Sequence, residues 1–177
     1  MEDTEVILIP QERIGALIGK NGSTKREIEK KTKTGLYIDS KEGEVEIRQK
    51  GNILGYLKAE KIVKAIARGF SPEHAFRLLD ENCTLEIINI EEKIGKNKSR
   101  VKSKKGRIIG AEGRAREEIE EDSGANISVY GKTIGIIGKY VEIQKAKTAI
   151  EMLLGGASHS SAYHYLKRGS QEDKFEL

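Results

Sequence analysis

The sequence predicts an α+β protein built from two copies of one small unit. Each copy holds a three-stranded antiparallel sheet with helices packed on one face. Three observations support this reading. A glycine-containing stretch recurs at an offset of 91 residues. Apolar residues alternate at period two in some segments and recur at i, i+3, i+4, i+7 in others. Turn residues separate those segments at short intervals. A chain of 177 residues has room for two such units.

The repeat sets Leu17–Glu29 (LIGKNGSTKREIE) against Ile108–Glu120 (IIGAEGRAREEIE). Ile18, Gly19, Gly22, Glu27, Ile28 and Glu29 recur as Ile109, Gly110, Gly113, Glu118, Ile119 and Glu120. Downstream, Thr34–Ile38 is matched with Ser123–Ile127, and Lys58-Ala59 with Lys145-Ala146. In the first copy, Glu5–Ile9 reads as a strand ending at Pro10, and Gln11–Ile18 as a short helix stopped by Gly19. Ser23 suits an N-cap, Lys25–Lys33 a second helix, and Gly35 its end. Leu36–Asp39 and Val45–Arg48 are strands around the turn Lys41-Glu42-Gly43. Ala59, Ile62, Val63 and Ile66 form one face of a closing helix.

The second copy follows the same order. Thr84–Ile90 is its first strand, the basic stretch around Ser99–Ile109 its first helix, and Arg114–Asp122 its second. Asn126–Tyr130 and Thr133–Ile137 flank the turn Gly131-Lys132, and Ala146, Ala149, Ile150, Leu153 and Leu154 mark the last helix. The expected boundaries are 1–70 for the first unit, 71–82 for a helical connector, 83–156 for the second unit and 157–177 for a partly helical tail. Ser71 and Pro72 start the connector helix. In the tail, Tyr163, Tyr165 and Leu166 suit a short docked helix, and SQEDKFEL is expected to be mobile.

Composition narrows the function. With no Trp and 5% aromatic residues, the cores are aliphatic. No apolar run reaches the roughly 18 residues of a membrane span, and the acidic start MEDTEVILIP does not read as a targeting signal. The expected location is cytoplasmic. The single Cys83 excludes a disulfide framework and suits a small buried residue at a strand start. His159 and His164 are poorly spaced for a shared metal, and the acids from Glu117 to Asp122 read as surface ion pairs. No cofactor is expected. The net charge is only +4, but Lys93–Arg116 holds ten basic residues against Glu112, a local +9 that leaves the rest of the chain at −5. Such focusing fits a polyanionic partner.

Gly15–Asn21 (GALIGKN) is not a nucleotide phosphate loop. Three residues separate its glycines where four are needed, Asn21 follows Lys20, and a helix precedes it. Gly131-Lys132-Thr133 has Asn126 where such a loop needs its first glycine. A helix–GXXG–helix turn fits better, and it occurs twice. Its glycines let two helices meet tightly, and the amides that open the second helix face a sugar-phosphate backbone. Of Ile14, Leu17, Ile18 and Ile38, and of Ile108, Ile109 and Ile127, most belong to the core and one or two per unit line a base groove.

On these residues both units resemble the type I KH domain, of order βααββα. Gly19-Lys20-Asn21-Gly22 matches that family's loop closely, and Gly110-Ala111-Glu112-Gly113 matches in its glycines. With the connector, the basic segment Lys93–Glu120 and the tail GGASHSSAYHYLKR, residues 4–168 are similar to the archaeal tandem-KH ribosome-assembly proteins of the Dim/Pno/Krr type. The resemblance implies non-catalytic binding of single-stranded RNA, in the 3′ region of small-subunit 16S rRNA. It also implies a pre-small-subunit ribosome and a Nob-type endonuclease as partners. The candidate contacts are Gly19, Lys20, Asn21, Gly22, Lys25 and Arg26; Arg100, Lys102, Lys104, Lys105 and Arg107; and Gly110, Ala111, Gly113, Arg114 and Arg116. Two alternatives remain: a tandem-KH binder acting on mRNA or in transcription, and a protein adaptor, which the acidic Glu112 would suit.

Overall fold

The computed structural model describes residues 4–172 and divides after Glu81 into two compact units. Unit one runs β1 (Val6–Leu8), α1 (Gln11–Ile18), α2 (Ser23–Thr32), β2 (Thr34–Asp39), β3 (Glu44–Gln49) and α3 (Ile53–Ala67). Its sheet is antiparallel, in the order β1-β3-β2. Strand alternation buries Ile7, Leu36, Val45 and Ile47, and the helices contribute Leu17, Ile28, Ile62 and Ile66 to the same core. Each such side chain contributes roughly 1.5–3 kcal/mol through burial. The connector forms a short helix α4 (Pro72–Ala75) and a 3-10 turn (Phe76–Leu79), both packed on α3. Ser71 Oγ accepts the His74 N–H at 3.3 Å, as its N-cap reading requires.

Unit two runs β4 (Cys83–Asn89), α5 (Ile90–Ile94), α6 (Lys98–Ile109), α7 (Arg114–Ser123), β5 (Asn126–Tyr130), β6 (Thr133–Lys139), α8 (Tyr140–Leu154) and α9 (His159–Glu172). Its sheet, β4-β6-β5, is again antiparallel. Cys83 opens β4 and is buried. No described helix is long and apolar enough to cross a membrane.

The two units superpose in sequence differently from the simple repeat. Glu29 accepts the Leu36 N–H at 2.8 Å, and Glu120 accepts the Ile127 N–H at 2.7 Å, so the offset of 91 persists into β2 and β5. Ile127 therefore corresponds to Leu36 and not to Ile38. The mismatch arises at the helix end. Lys33 takes the left-handed cap (φ 54°) that Gly124 (φ 82°) takes in unit two, so Gly35 is not the terminator. Likewise Ser23 is the first residue of α2, and Gly22 is its N-cap. The hairpin pairs Asp39 with Glu44 in unit one and Tyr130 with Thr133 in unit two, so its loop is two residues shorter in the second copy.

A larger difference precedes α6. Ile7 lies opposite Val45, and Ile88 opposite the equivalent Ile134, so the first strands are 81 residues apart. The helices that follow are 91 apart, which leaves ten extra residues in unit two. They form α5 and the first turn of α6. The sequence pattern missed α5 because five residues show no period.

Helix α9 is longer than expected and is part of the second core. Ala162 and Leu166 are fully buried with residues of α7 and α8, and Tyr163 and Tyr165 pack at the edge of that cluster. Lys167 lies 3.2 Å from Glu118, and its hydrogen bond there raises the Lys167 pKa. Of the segment expected to be mobile, 173–177 lies outside the described residues, while α9 continues through Glu172. Leu166→Ala should lower unfolding stability by about 2–5 kcal/mol in a denaturant titration of the full chain. A loss below about 0.5 kcal/mol, the level of a surface change, would show that α9 is not part of the core.

Candidate nucleic-acid interface

Helix α1 stops at Gly19, with φ 73°. A Cβ there would overlap Thr24 Oγ1 and lie 2.7 Å from Thr24 N. Gly110 repeats this: φ is 74°, and a Cβ would meet Ala115 Cβ at 2.6 Å and Ala115 N at 2.7 Å. Two helices can approach this closely only over a residue without a side chain. Gly22 (φ 74°) and Gly113 (φ 76°) are left-handed N-caps of α2 and α7. Between the glycines, Asn21 (φ 52°) and Glu112 (φ 55°) are also left-handed. Asn accepts that conformation readily, whereas Glu carries a cost of about 1–2 kcal/mol.

Lys20, Asn21, Ala111 and Glu112 are exposed. The first amides of a helix lack intrahelical acceptors, so α2 and α7 direct N–H groups and positive dipole ends at these turns. Ala111 has no polar side-chain atom and offers only its backbone. Arg26 Nη1 donates to Asn21 O at 2.7 Å and braces the first turn. Arg114 lies 3.4 Å from Glu112, so a guanidinium meets the acid of the second turn. Lys25 lies 3.7 Å from Glu29, and Arg116 3.6 Å from Glu120. In both units a cation thus steadies the carboxylate that ties the second helix to the edge strand.

A groove lies beside each turn, and the two differ in charge. In unit one it measures about 900 Å³, with Ile18 and Ile38 half-buried along it. Lys25 and Lys41 face Asp39, Glu44 and Glu46 there. Arg48 hydrogen-bonds Glu46 at 2.6 Å and holds its carboxyl below the usual carboxylate range. The groove of unit two measures about 500 Å³ and is lined by Val101, Gly106 and Ile109. Lys98, Lys102, Lys105 and Lys132 stand around it against Glu91, which pairs with Lys132 at 2.8 Å. Unit two is therefore suited to a polyanion, and carboxylates outnumber cations in unit one. Ile14, Leu17, Ile108 and Ile127 are core residues.

Helix α6 divides the predicted basic cluster. Lys98, Lys102, Lys105 and Ile109 follow at helical spacing along the groove. Arg100, Lys104 and Arg107 follow on the other side, toward the end of α8. Arg100 shares a cleft with Leu154 and Gly155 there, and Lys104 Nζ lies close to Gly156. Arg107 departs from the expectation of a nucleic-acid contact. Its guanidinium donates to Leu153 O at 3.1 Å and Ala157 O at 2.5 Å, while His159 Nε2 bonds its backbone oxygen at 2.7 Å. Arg13 does the same in unit one, donating to Ile66 O at 2.8 Å and Phe70 O at 2.7 Å. The acceptors are equivalent positions, but the donor has moved one helical turn. Lys98 and Lys132, which the sequence reading did not single out as contacts, also line this groove: Lys98 stands four residues before Lys102, and Lys132 occupies the β5–β6 turn.

Two substitutions separate these roles. Arg107→Ala should lower unfolding stability by about 1.5–3 kcal/mol in denaturant and leave the salt dependence of nucleic-acid binding unchanged. Lys105→Ala should reduce that salt slope by about 0.7 with stability unchanged. The reverse pattern would exchange their assignments.

Comparison with known proteins agrees with this architecture. Residues 4–65 match the KH domain, and residues 84–171 match the second KH domain of Pno1, a eukaryotic-type KH domain of type I. The chain is 46% identical over 180 residues to a KH domain-containing protein of Methanocaldococcus jannaschii, covering 98% of this chain and 78% of that one. It is 30% identical over 113 residues to the pre-rRNA-processing protein pno1 of Emericella nidulans, covering 63% and 44%. The crystal structure of an a/eIF2alpha–aDim2p–rRNA complex from Pyrococcus horikoshii OT3 matches with a TM-score of 0.91 at 51% identity, over 97% of this chain and 96% of that one. Two KH units of type I, joined by a helical segment and matched nearly end to end, mean that the chain belongs to the Dim2/Pno1 family of tandem-KH ribosome-assembly proteins.

Proposed function

We propose that this protein binds single-stranded RNA without catalysis, in the 3′ region of small-subunit 16S rRNA, during maturation of the subunit in the cytoplasm. The observation that carries the reading is the second groove: a GXXG turn opening α7, an apolar lining, and four lysines around it against one glutamate. The α7 amides hold the sugar-phosphate backbone, Lys98, Lys102, Lys105 and Lys132 neutralise flanking phosphates, and Ile109, backed by the largely buried Val101, receives bases. The rRNA in the Pyrococcus complex and the pre-rRNA processing named for the fungal relative support the target. Holding the strand presents it to a processing enzyme, for which a Nob-type endonuclease is the proposed partner.

The carboxylates Asp39, Glu44 and Glu46 favour a second reading for unit one, in which its groove grips a protein segment and not RNA. In that reading the chain joins RNA to protein.

Fluorescence anisotropy tests both. The probes are a labelled strand matching the 3′ end of 16S rRNA, its scrambled version and its duplex, at two salt concentrations. The strand should bind tightest, and Lys102→Ala with Lys105→Ala should lower the salt slope by about 1.4. Ala111→Asp should weaken binding at least about tenfold by placing a carboxylate at the phosphate position. Lys20→Asp with Asn21→Asp should leave it within twofold if unit one grips protein, and weaken it if both units grip RNA. Equal binding of all three probes would reduce the site to a general cationic surface.

A further inference from the structure

We propose that the ten-residue insertion of unit two, with Lys104, forms a second phosphate-binding surface that takes the backbone of a paired RNA stem beside the single strand. This rests on the RNA-binding reading above. The insertion is an addition to the shared plan, since unit one completes its sheet and three helices without it. It adds Lys93, Lys96, Lys98 and Arg100. Lys98 turns to the groove and Arg100 to the opposite flank.

The flank is ordered. Asn89 Oδ1 accepts the N–H groups of Glu91 at 3.0 Å and Glu92 at 3.4 Å, capping α5, and Asn97 Oδ1 accepts the Arg100 N–H at 3.0 Å, capping α6. A fixed backbone spares part of the ordering cost of binding. A charge run that serves only solubility forms ion pairs with its neighbours, as Lys93 does with Glu151 at 3.0 Å. Among the described residues no carboxylate lies within ion-pair distance of Lys96, Arg100 or Lys104. Position 104 is available because its counterpart's task has moved. Arg13 holds the carbonyls at the end of α3, and in unit two Arg107 has taken that task, leaving a lysine at 104.

Arg100 and Lys104 share one flank of α6, Lys96 stands in the loop before it, and Glu151 of the Arg100 cleft pairs with Lys93; such cations repel each other and gain from a polyanion. Arg100 and Lys104 stand one turn apart, about 6 Å along the axis. The insertion contains no aromatic residue, so it offers no platform on which a free base would stack. A surface that reads phosphates and not bases fits an A-form stem, which is recognised mostly by its shape and by contacts to its phosphates and 2′-hydroxyls.

The experiment uses the full chain over a series of salt concentrations and two labelled RNAs: the single strand alone, and the same strand extended by a hairpin stem. The wild type should bind the extended RNA about tenfold more tightly. Lys96→Ala/Arg100→Ala/Lys104→Ala should bind the bare strand within twofold of wild type, lose the advantage of the stem, and lower the salt slope for the extended RNA by about two to three. Its denaturation midpoint, measured alongside, should match wild type; if the triple variant fails to fold, Arg100→Gln/Lys104→Gln replaces it, again losing the advantage of the stem and lowering the salt slope by about 1.4 to 1.8. The proposal is overturned if the variant keeps the stem advantage, or if the wild type binds the strand but gains nothing from the stem. Capture of an acidic peptide in place of the stem, sensitive to the same substitutions, would also overturn it in favour of a protein contact. Failure of the wild type to bind the bare strand would instead remove the RNA-binding reading on which it rests, and the proposal with it.

Discussion

Helices α1 and α2 approach so closely at Gly19 that Thr24 N would sit 2.7 Å from any side chain there, and α6 and α7 do the same at Gly110. The rest of each unit depends on that approach. It fixes the angle at which the second helix leaves, and so points the free amides of that helix at solvent. It also places Ile18 and Ile109 at the lip of the groove while their neighbours Leu17 and Ile108 remain in the core. The second helix then reaches the sheet through Glu29 or Glu120, whose carboxylate accepts an edge-strand amide. A turn without side chains, a helix end and a carboxylate together hold the groove open on one side.

On this common frame the two units carry different charges. The first has Asn21 in its turn and carboxylates along its groove; the second has Glu112 in its turn and lysines along its groove. The acid in the second turn is met by Arg114 and outnumbered by the four lysines. Because fields from exposed charges fall off over roughly 8–10 Å, the lysines around the groove matter to a strand lying in it, while the acidic surplus elsewhere does not. The whole-chain charge of +4 averages two surfaces of opposite character.

Most of the architecture was legible because it rests on period and on glycine. The alternation of β3, the i, i+3, i+4, i+7 face of α3 and the recurring glycines each have a direct physical cause. What escaped has causes that a single sequence does not display. Lys33 adopts a left-handed cap without being glycine, which displaced the match of the second strands by two residues. Helix α5 is too short to have a period. Arg107 sits in a basic run and looks like its neighbours; only the carbonyls of Leu153 and Ala157, some 50 positions away, distinguish it. Lys132 reads as an ordinary turn residue until the fold brings it opposite Lys105. Local chemistry was readable, and the pairing of distant groups was not.

The hairpin that closes each sheet differs by two residues between copies, and the even number has a consequence. In an antiparallel pair the facing residues have a constant index sum, and successive side chains alternate faces. Removing two loop residues lets Val129 face Ile134 as Ile38 faces Val45, with every inward residue still inward. Removing one would turn a whole strand over and put its apolar row in water. The tip of this hairpin is therefore a place where the lineage of the two copies could lengthen or shorten in steps of two without rebuilding the core. A length difference of odd size would have to fall outside the ladder, where no parity is at stake.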